Sequence, residues 1–437
     1  MDNLIELTVN GFRAIGKAKI ALNGITVVSG INGSGKSTLS RILYYIFKNA
    51  NDFDHLVAVY LFNQIKPYIN AFEQLVREFI YEDRFDKVFP VDSLRYLFTT
   101  RPFKSMEDAY KYKDIVAEVG QRMSHVVGKD DPIFKGVDLK RISAILKTTL
   151  ELSEDKGIDY MIDALCDRIR RGVVEIGGMV SERPYSILDD SLVSSVGKDL
   201  RGNVVLKEYG TTIYGKDVTS VPLLHFIRKV VYIDTPMSVG LPVSFGLPAY
   251  WNDLNRLLHQ SGDDVQPDVD FDIPDDILDG SVYYDRDLLS SGIKFKERSS
   301  GNVYNLTDCA TGFKSFAALQ LLLNIGYLDD TALMIIDEPE AHLHPQWIIE
   351  YARLIVLLHK QKGVKFFIST HSPDMVEALK LLSEKEKCLD SLCFYLAEEN
   401  SDQQKMYDVK RLGHDIEPIF ASFNKSYTKL DGYAGKE

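Results

Sequence analysis

The chain alternates short apolar runs with segments in which apolar residues recur every three or four positions. Apolar runs at residues 25–28, 333–336 and 364–369 predict strands, and the run at 333–336 is expected to be central and buried. Helical spacing follows the first run at residues 39–46 and recurs at residues 316–323. This alternation predicts an α/β fold.

The remaining segments predict a helical insertion and a second group of strands. Residues 50–171 carry helical patterns without a sustained heptad, so we predict a short helical insertion there. Runs within 172–235 (VVEIGGMV, NVVLKEYGTTIYG and KVVYID) predict strands of an antiparallel β lobe, and 391–400 predicts one more strand. Residues 262–280 predict an acidic connector. The main domain would then comprise 1–49 and 172–437.

Composition is typical of a soluble globular protein. The 437 residues are 45% hydrophobic and 26% charged, with a formal net charge of −12. No apolar run approaches the roughly 20 residues that span a bilayer, so we expect a cytoplasmic protein with no membrane partner. The acidic balance argues against a surface built for nucleic acid, although a local basic groove stays open. The 4 cysteines form no C-x-x-C pair, which favours buried thiols.

Residues 30–37, GINGSGKS, match the phosphate-binding pattern G-x-x-x-x-G-K-[ST] (Walker A), between a predicted strand and a predicted helix. Such a loop points backbone N–H groups at phosphate oxygens. Lys36 is expected to reach the β- and γ-phosphates, Ser37 to bind Mg²⁺, and Thr38 to contact the α-phosphate. The motif therefore predicts ATP and Mg²⁺ as ligands, and its predicted contact residues are Asn32, Gly33, Ser34, Gly35, Lys36, Ser37 and Thr38.

Acidic residues follow the run at 333–336, in the manner of a Walker B strand. Asp337 is expected to bind Mg²⁺ directly or through water, and Glu338 to orient and deprotonate the attacking water. Strand capping is the alternative interpretation of this pair. The strand at 364–369 leads into His371, which we predict to sense the γ-phosphate; a purely structural histidine is the alternative.

These motifs, in this order, resemble the ABC-type ATPases of the SMC and RecF class. DEPEAHLHP at 337–345 and STHSP at 369–373 are most similar to the compact bacterial OLD-like and Septu-like defence ATPases. The resemblance covers residues 1–48 and 280–400. It implies an α/β P-loop NTPase fold of ABC head type, with a mixed central sheet, an antiparallel β lobe and a helical insertion.

The resemblance also implies a signature motif that binds the γ-phosphate held by a second protomer. Gly312-Phe313-Lys314-Ser315 aligns with the family's Gly-x-Lys-Ser, which places Ala310 at the usual serine position. Thr311, Gly312 and Lys314 are therefore expected to make this contact. Arg13 matches a family arginine that touches nucleotide; an exposed arginine in a hairpin is the alternative. The family's Q-loop glutamine has no match, because Asp234-Thr235-Pro236 follows the relevant strand.

The function implied by the resemblance is a Mg²⁺-dependent ATPase that dimerises around ATP. It would form a homodimer or higher oligomer through composite ATP sites. It would also control an effector encoded nearby, a nuclease or toxin, in anti-phage defence. Two alternatives stay open. One is an ATP-stabilised scaffold with little turnover that inhibits its partner, and the other is a RecF-like DNA repair ATPase, which the net charge does not favour.

Overall fold

The computed structural model describes residues 5–80, 91–99, 102–127, 138–153, 156–198, 200–244, 246–260, 278–287, 291–401 and 405–423. The chain divides into two compact units. The sheet unit comprises Met1–Asn51, Leu192–Val218 and Pro222–Glu437, and the helical unit comprises Asp52–Ser191 and Thr219–Val221.

A ten-stranded sheet with the order β5-β4-β1-β2-β13-β12-β3-β11-β10-β6 forms the centre of the sheet unit. A separate antiparallel sheet has the order β7-β8-β9. The strands are β1 Ile5–Phe12, β2 Ile15–Ala21, β3 Ile25–Gly30, β4 Val204–Glu208, β5 Thr211–Tyr214, β6 Lys229–Ile233, β7 Gly280–Asp285, β8 Gly292–Glu297, β9 Val303–Asn305, β10 Ala332–Asp337, β11 Lys365–Thr370, β12 Leu392–Glu399 and β13 Tyr407–Gly413.

The large sheet is mixed, as predicted. Strands β12, β3, β11, β10 and β6 are parallel to one another, β13 pairs antiparallel with β12, and β1 pairs antiparallel with β2 and β4. The parallel strands β3, β10 and β11 are buried along their whole length, which accounts for their continuous apolar runs. The phosphate-binding loop, Glu338 and His371 all follow carboxyl ends of these adjacent strands, so they lie at one edge of the sheet.

The helices are α1 Lys36–Asn51, α2 Phe53–Ile80, α3 Val91–Thr99, α4 Met106–Val127, α5 Leu139–Leu150, α6 Ile158–Gly177, α7 Met179–Glu182, α8 Tyr185–Ser195, α9 Ala249–Leu258, α10 Thr311–Asn324, α11 Pro345–Lys362 and α12 Pro373–Lys385. None of the described helices is long and apolar enough to cross a bilayer.

Strand alternation divides the core of the sheet unit into two faces. One face carries a hydrophobic cluster that takes Met334 and Ile336 from β10 and also includes residues of α9 to α12. The opposite face packs on α1, where the ring of Tyr232 lies 5.8 Å from that of Tyr44. Side chains pointing to the α1 face include Asp337, since successive residues of a strand point to opposite faces.

Two predicted segments differ from the structure. VVEIGGMV, predicted as a strand, lies in α6 and α7. Its apolar pattern continues the helical steps of Leu165, Ile169 and Val173, which are all buried, and this packing overrides the weak strand preference of valine. KVVYI is a strand, β6, but it pairs parallel with β10 and so lies outside the antiparallel lobe.

The other predicted segments can be placed directly. NVVLKEYGTTIYG forms β4 and β5, and the predicted strand at 391–400 is β12. Residues 52–171 of the predicted insertion lie in the helical unit, which continues through the helices of residues 172–191. Most of the predicted connector at 262–280 lies outside the described residues, up to residue 277.

Candidate active site

The loop between β3 and α1 is curled in the way that phosphate binding needs. Gly33 and Gly35 have φ angles of 83° and 93°. A Cβ on Gly35 would lie 2.7 Å from Ile15 Cγ1, so only glycine fits there. The hydroxyl Oγ of Ser34 is buried and has no hydrogen-bond partner among the described residues. A buried hydroxyl inside a curled glycine loop fits a phosphate ligand.

Lys36 is held inside this loop. Its Nζ donates to the carbonyl oxygens of Gly30 at 2.7 Å and Ile31 at 3.0 Å. Burial lowers the pKa of Lys36, while the negative charges of Glu338, Asp337 and Glu340 act in the opposite direction. The predicted phosphate-binding lysine therefore shares one electrostatic environment with the predicted base Glu338 and the predicted metal ligand Asp337.

The other predicted residues of the loop differ in exposure. Asn32 and Ser37 are exposed, and Thr38 is half-buried in the first turn of α1. The backbone N–H of Thr38 donates to Gly35 O at 3.0 Å. The exposed hydroxyl of Ser37 is accessible to a metal ion. One turn further along α1, Ser40 is buried and points to Asp337.

Asp337 is bonded to three hydroxyl groups. Ser40 and Ser369 donate to Oδ1, each at 2.5 Å, and Tyr232 donates to Oδ2 at 2.7 Å. Burial raises the pKa of Tyr232, and Asp337 raises it further, so this hydroxyl stays protonated and remains a donor. Hydroxyl and carboxylate oxygens suit Mg²⁺, so Ser37 and Asp337 fit the predicted metal site. Oδ1 accepts two hydrogen bonds and Oδ2 only one, so Oδ2 keeps an acceptor position for Mg²⁺ or for a water bound to it.

Glu338 and His371 lie close together after the adjacent strands β10 and β11. Glu338 has a left-handed backbone (φ 49°), and its N–H donates to Ser369 O at 2.8 Å. His371 Nδ1 lies 3.5 Å from Glu338 Oε1 and 3.4 Å from Glu340 Oε1. The side chains of Glu338 and His371 are 41% and 46% exposed, so water and substrate can reach both.

Arg13 lies beside the site-bearing sheet and is already engaged. Its backbone is left-handed (φ 54°), and its Nη2 donates to Val196 O. The guanidinium also lies 5.5 Å from the ring centroid of Phe12. Its role toward nucleotide stays a prediction.

The predicted signature residues stand at the start of α10. Thr311 is the first residue of this helix, and its N-cap, Ala310, provides no side-chain hydrogen bond to the first turn. A Cβ on Gly312 would lie 2.6 Å from His342 O, so the helix start packs directly on the loop that follows β10. The Nζ of Lys314 is turned back to Thr307 O at 2.8 Å, and Lys314 is buried.

Sequence reasoning missed the hydroxyls that hold Asp337 and the role of Glu340. Tyr232 and Asp337 are 105 residues apart, and Ser40 and Asp337 are 297 apart. Only the pairing of β6 with β10 and the packing of α1 bring them together. Glu340 is 31 residues from His371, and no local pattern links the two.

A phosphate-binding loop, a buried aspartate and an exposed glutamate at the carboxyl edge of a parallel sheet define a P-loop ATPase fold. Residues 3–156 match the family described as AAA ATPase domain, and residues 224–377 match that described as "AAA domain, putative AbiEii toxin, Type IV TA system". The first match contains the phosphate-binding loop and the second contains Glu338 and His371. Two separate stretches of the chain are therefore each similar to an ATPase domain of the AAA class, which supports an ATP-binding ATPase.

Solved structures of Smc head domains are also similar to the chain. One, from Pyrococcus furiosus, has an extended coiled coil and is bound to the C-terminal domain of ScpA; identity is 12%, covering 97% of this chain and 98% of that chain, with a TM-score of 0.32. Another, from Pyrococcus yayanosii, has 12% identity, coverage of 97% and 99%, and a TM-score of 0.36. The head from Thermotoga maritima has 11% identity, coverage of 93% and 98%, and a TM-score of 0.33. These TM-scores lie below 0.5, so the likeness carries no argument about function. No curated protein matches the chain.

Proposed function

We propose that the chain is a Mg²⁺-dependent, ABC-like ATPase that dimerises around ATP and thereby controls a partner effector. The observation that carries this proposal is the convergence of Lys36 with Glu338 and Asp337 at one sheet edge. β11 is parallel to and hydrogen-bonded with both β3 and β10, so the register of three adjacent strands fixes this convergence.

The phosphate-binding loop holds the substrate. The N–H groups around Gly33 and Gly35 bind the phosphate oxygens of ATP, and Lys36 neutralises their charge. Ser37 and Asp337 hold Mg²⁺, which, when bound, stabilises negative charge on the phosphates. Ser40, Ser369 and Tyr232 fix the Asp337 carboxylate in one orientation.

Glu338 acts as the general base that orients and deprotonates the attacking water. Its exposed carboxylate supports this role, since a base has to reach water. Its left-handed backbone supports it further, because strained non-glycine residues cluster at functional sites. His371 contacts the γ-phosphate from the neighbouring strand end.

The start of α10 meets the γ-phosphate held by a second copy. The uncapped N–H groups of its first turn and the Thr311 hydroxyl would supply the contact. Lys314 donates one of its three ammonium N–H groups to Thr307 O, which directs its side chain toward the preceding turn. A Lys314 side chain that stays in this position would contribute less to binding the γ-phosphate and would slow ATP turnover. This arrangement favours the scaffold alternative.

The effector and the biological setting rest on similarity. The family that matches residues 224–377 is described as a putative toxin of a type IV toxin–antitoxin system, which supports a toxin-related role but names no separate effector. The motifs at 337–345 and 369–373 support an OLD-like or Septu-like ATPase of anti-phage defence. The oligomer would be a homodimer or larger, acting in the cytoplasm, with the effector and not DNA as its main partner because the net charge is −12.

The test is Glu338→Gln, which keeps the size of the side chain and removes the base. We expect ATP turnover to fall about 10²- to 10⁴-fold. We also expect ATP to stay bound and a dimer to accumulate, measured by light scattering after size-exclusion chromatography with ATP and Mg²⁺. The matched control is Glu377→Gln, an exposed glutamate on α12, for which turnover stays unchanged.

Two outcomes would contradict the proposal. Unchanged turnover in Glu338→Gln would remove Glu338 as the base. If Thr311→Ala and Lys314→Ala, each introduced into Glu338→Gln, leave the ATP-dependent dimer intact, the start of α10 is not the contact with the second copy. Slow turnover in the unmodified protein, with nucleotide retained through purification, would identify the scaffold alternative.

A further inference from the structure

We propose that Glu340 is a positioning residue that holds His371 in its working orientation. This inference rests on the proposed function, because it takes His371 to be the side chain that contacts the γ-phosphate. It assigns a separate task to each glutamate of the Glu338-Pro339-Glu340 segment: Glu338 activates water, and Glu340 acts only through His371.

Glu340 binds the segment that carries His371 at three points. Its Oε1 accepts from Thr370 Oγ1 at 2.8 Å and from the backbone N–H of His371 at 3.0 Å. The same oxygen lies 3.4 Å from the ring atom Nδ1 of His371. One carboxylate oxygen thus faces the main chain and the side chain of the histidine together.

The burial of Glu340 argues against a direct catalytic role. Its side chain is 8% exposed, against 41% for that of Glu338. The second oxygen, Oε2, is buried and has no hydrogen-bond partner among the described residues. Burying a carboxylate with an unused oxygen lowers the stability of the fold, so the presence of Glu340 at this position points to a functional role. Lys36 provides an opposite charge nearby.

The carboxylates around Nδ1 determine which end of the imidazole ring is free. Nδ1 faces oxygens of both Glu338 and Glu340, and ionised carboxylates accept hydrogen bonds but cannot donate them. These oxygens favour the tautomer with the proton on Nδ1, which leaves Nε2 for the substrate. Glu340 fixes this arrangement from a buried position, whereas Glu338 can turn to water.

The test is a double-mutant cycle of Glu340→Ala and His371→Ala, with ATP turnover measured for each variant. We expect Glu340→Ala to lower kcat about 10- to 100-fold, the usual effect of removing a supporting partner of a site residue. We expect KM for ATP to change by less than about 3-fold, because ground-state binding is unaffected. If Glu340 acts only through His371, the double variant matches His371→Ala within about 3-fold.

Three further variants complement the double-mutant cycle. Glu340→Gln keeps an oxygen for Thr370 and His371 and should retain more kcat than Glu340→Ala. Thr370→Val removes one donor from Oε1 and should lower kcat in the unmodified protein but not in His371→Ala; it carries the test if Glu340→Ala does not fold. Glu377→Ala is the matched control on an exposed surface.

The outcomes separate this inference from the proposed function. If His371→Ala has no effect on kcat, the proposed role of His371 fails, and the present inference fails with it. If His371→Ala lowers kcat and Glu340→Ala lowers it further by the same factor in both backgrounds, His371 keeps its role and the positioning role of Glu340 is overturned. A rise in KM for ATP without a fall in kcat in Glu340→Ala would also overturn the positioning role of Glu340.

Discussion

Tyr232→Phe tests whether the hydroxyl cluster around Asp337 holds the site together. The substitution removes one oxygen from a side chain that is 1% exposed and keeps the ring that packs on Tyr44. The lost hydroxyl donates to Asp337 Oδ2 at 2.7 Å, while Oδ1 keeps its donors Ser40 and Ser369. The change therefore removes the hydrogen bond to the buried carboxylate, together with the interaction of this hydroxyl with Arg41.

The expected loss of stability follows from the charge and burial of this pair. A hydrogen bond to a charged group contributes about 1.5–3 kcal/mol, and a buried acceptor left without its donor adds to the cost. Asp337 is 5% exposed, so water cannot readily replace the hydroxyl. We expect the free energy of unfolding to fall by about 2 kcal/mol. We also expect the Mg²⁺ concentration for half-maximal turnover to rise about 10-fold, as when a metal ligand loses a supporting partner.

Tryptophan fluorescence during urea unfolding measures the loss of unfolding free energy in the sheet unit. The chain has 2 tryptophans, Trp251 and Trp347, and both belong to the sheet unit. Trp251 Nε1 donates to Asp234 Oδ1 at 2.6 Å, next to β6. The matched control is Tyr351→Phe, a buried tyrosine for which the described residues offer no hydrogen bond to the hydroxyl. Equal losses in the two variants would refute the reasoning.

Two further predictions use the same fluorescence assay. Gly312→Ala should destabilise the sheet unit by about 1–3 kcal/mol, because its Cβ meets the backbone oxygen of His342 at 2.6 Å. Gly215→Ala, in the same unit, is the control, because the nearest atom to its Cβ is a side-chain carbon of Thr212 at 3.2 Å and not a backbone atom; an equal loss there would contradict the steric argument. Burial lowers the pKa of His359, so the unfolded chain binds its proton more readily than the folded protein. The neutral His359 ring therefore contributes stability above about pH 6.5, and this contribution is lost as the pH falls. The free energy of unfolding should then decrease less between about pH 7.5 and about pH 5.5 in His359→Gln than in the unmodified protein. An unchanged difference would refute this.

Local pattern was sufficient for the parts of the site that follow directly from strands. The strands β3, β10 and β11 have continuous apolar sequences because both of their faces are covered, and each ends in residues of recognisable chemistry. Parallel pairing then brings the residues after these strands to one edge. This is why their placement at one edge of the sheet could be predicted, whereas the proximity of Glu338 to His371 also depends on the pairing of β10 with β11.

Contacts that depend on strand order could not be predicted in this way. Tyr232 reaches Asp337 because β6 pairs parallel with β10, whereas its sequence was assigned to the antiparallel lobe. Lys314 belongs to a recognisable motif, but the direction of its side chain depends on the fold of the preceding turn, which offers Thr307 O. In both cases a sequence-distant or backbone partner, invisible in residue spacing, determines what the side chain contacts.

The acidic residues at the end of β10 and just after it differ in environment because of their backbone positions and not because of their residue type. Asp337 still belongs to the strand, so alternation directs it into the buried face beside α1, where hydroxyls surround it. The left-handed backbone of Glu338 ends the strand and leaves its carboxylate exposed. The following turn, closed by Ala341 N–H on Glu338 O at 2.8 Å, returns Glu340 to a buried position against Thr370 and His371. Chemically similar carboxylates thereby come to suit a metal, a water molecule and a histidine, respectively, because the backbone gives each a different environment.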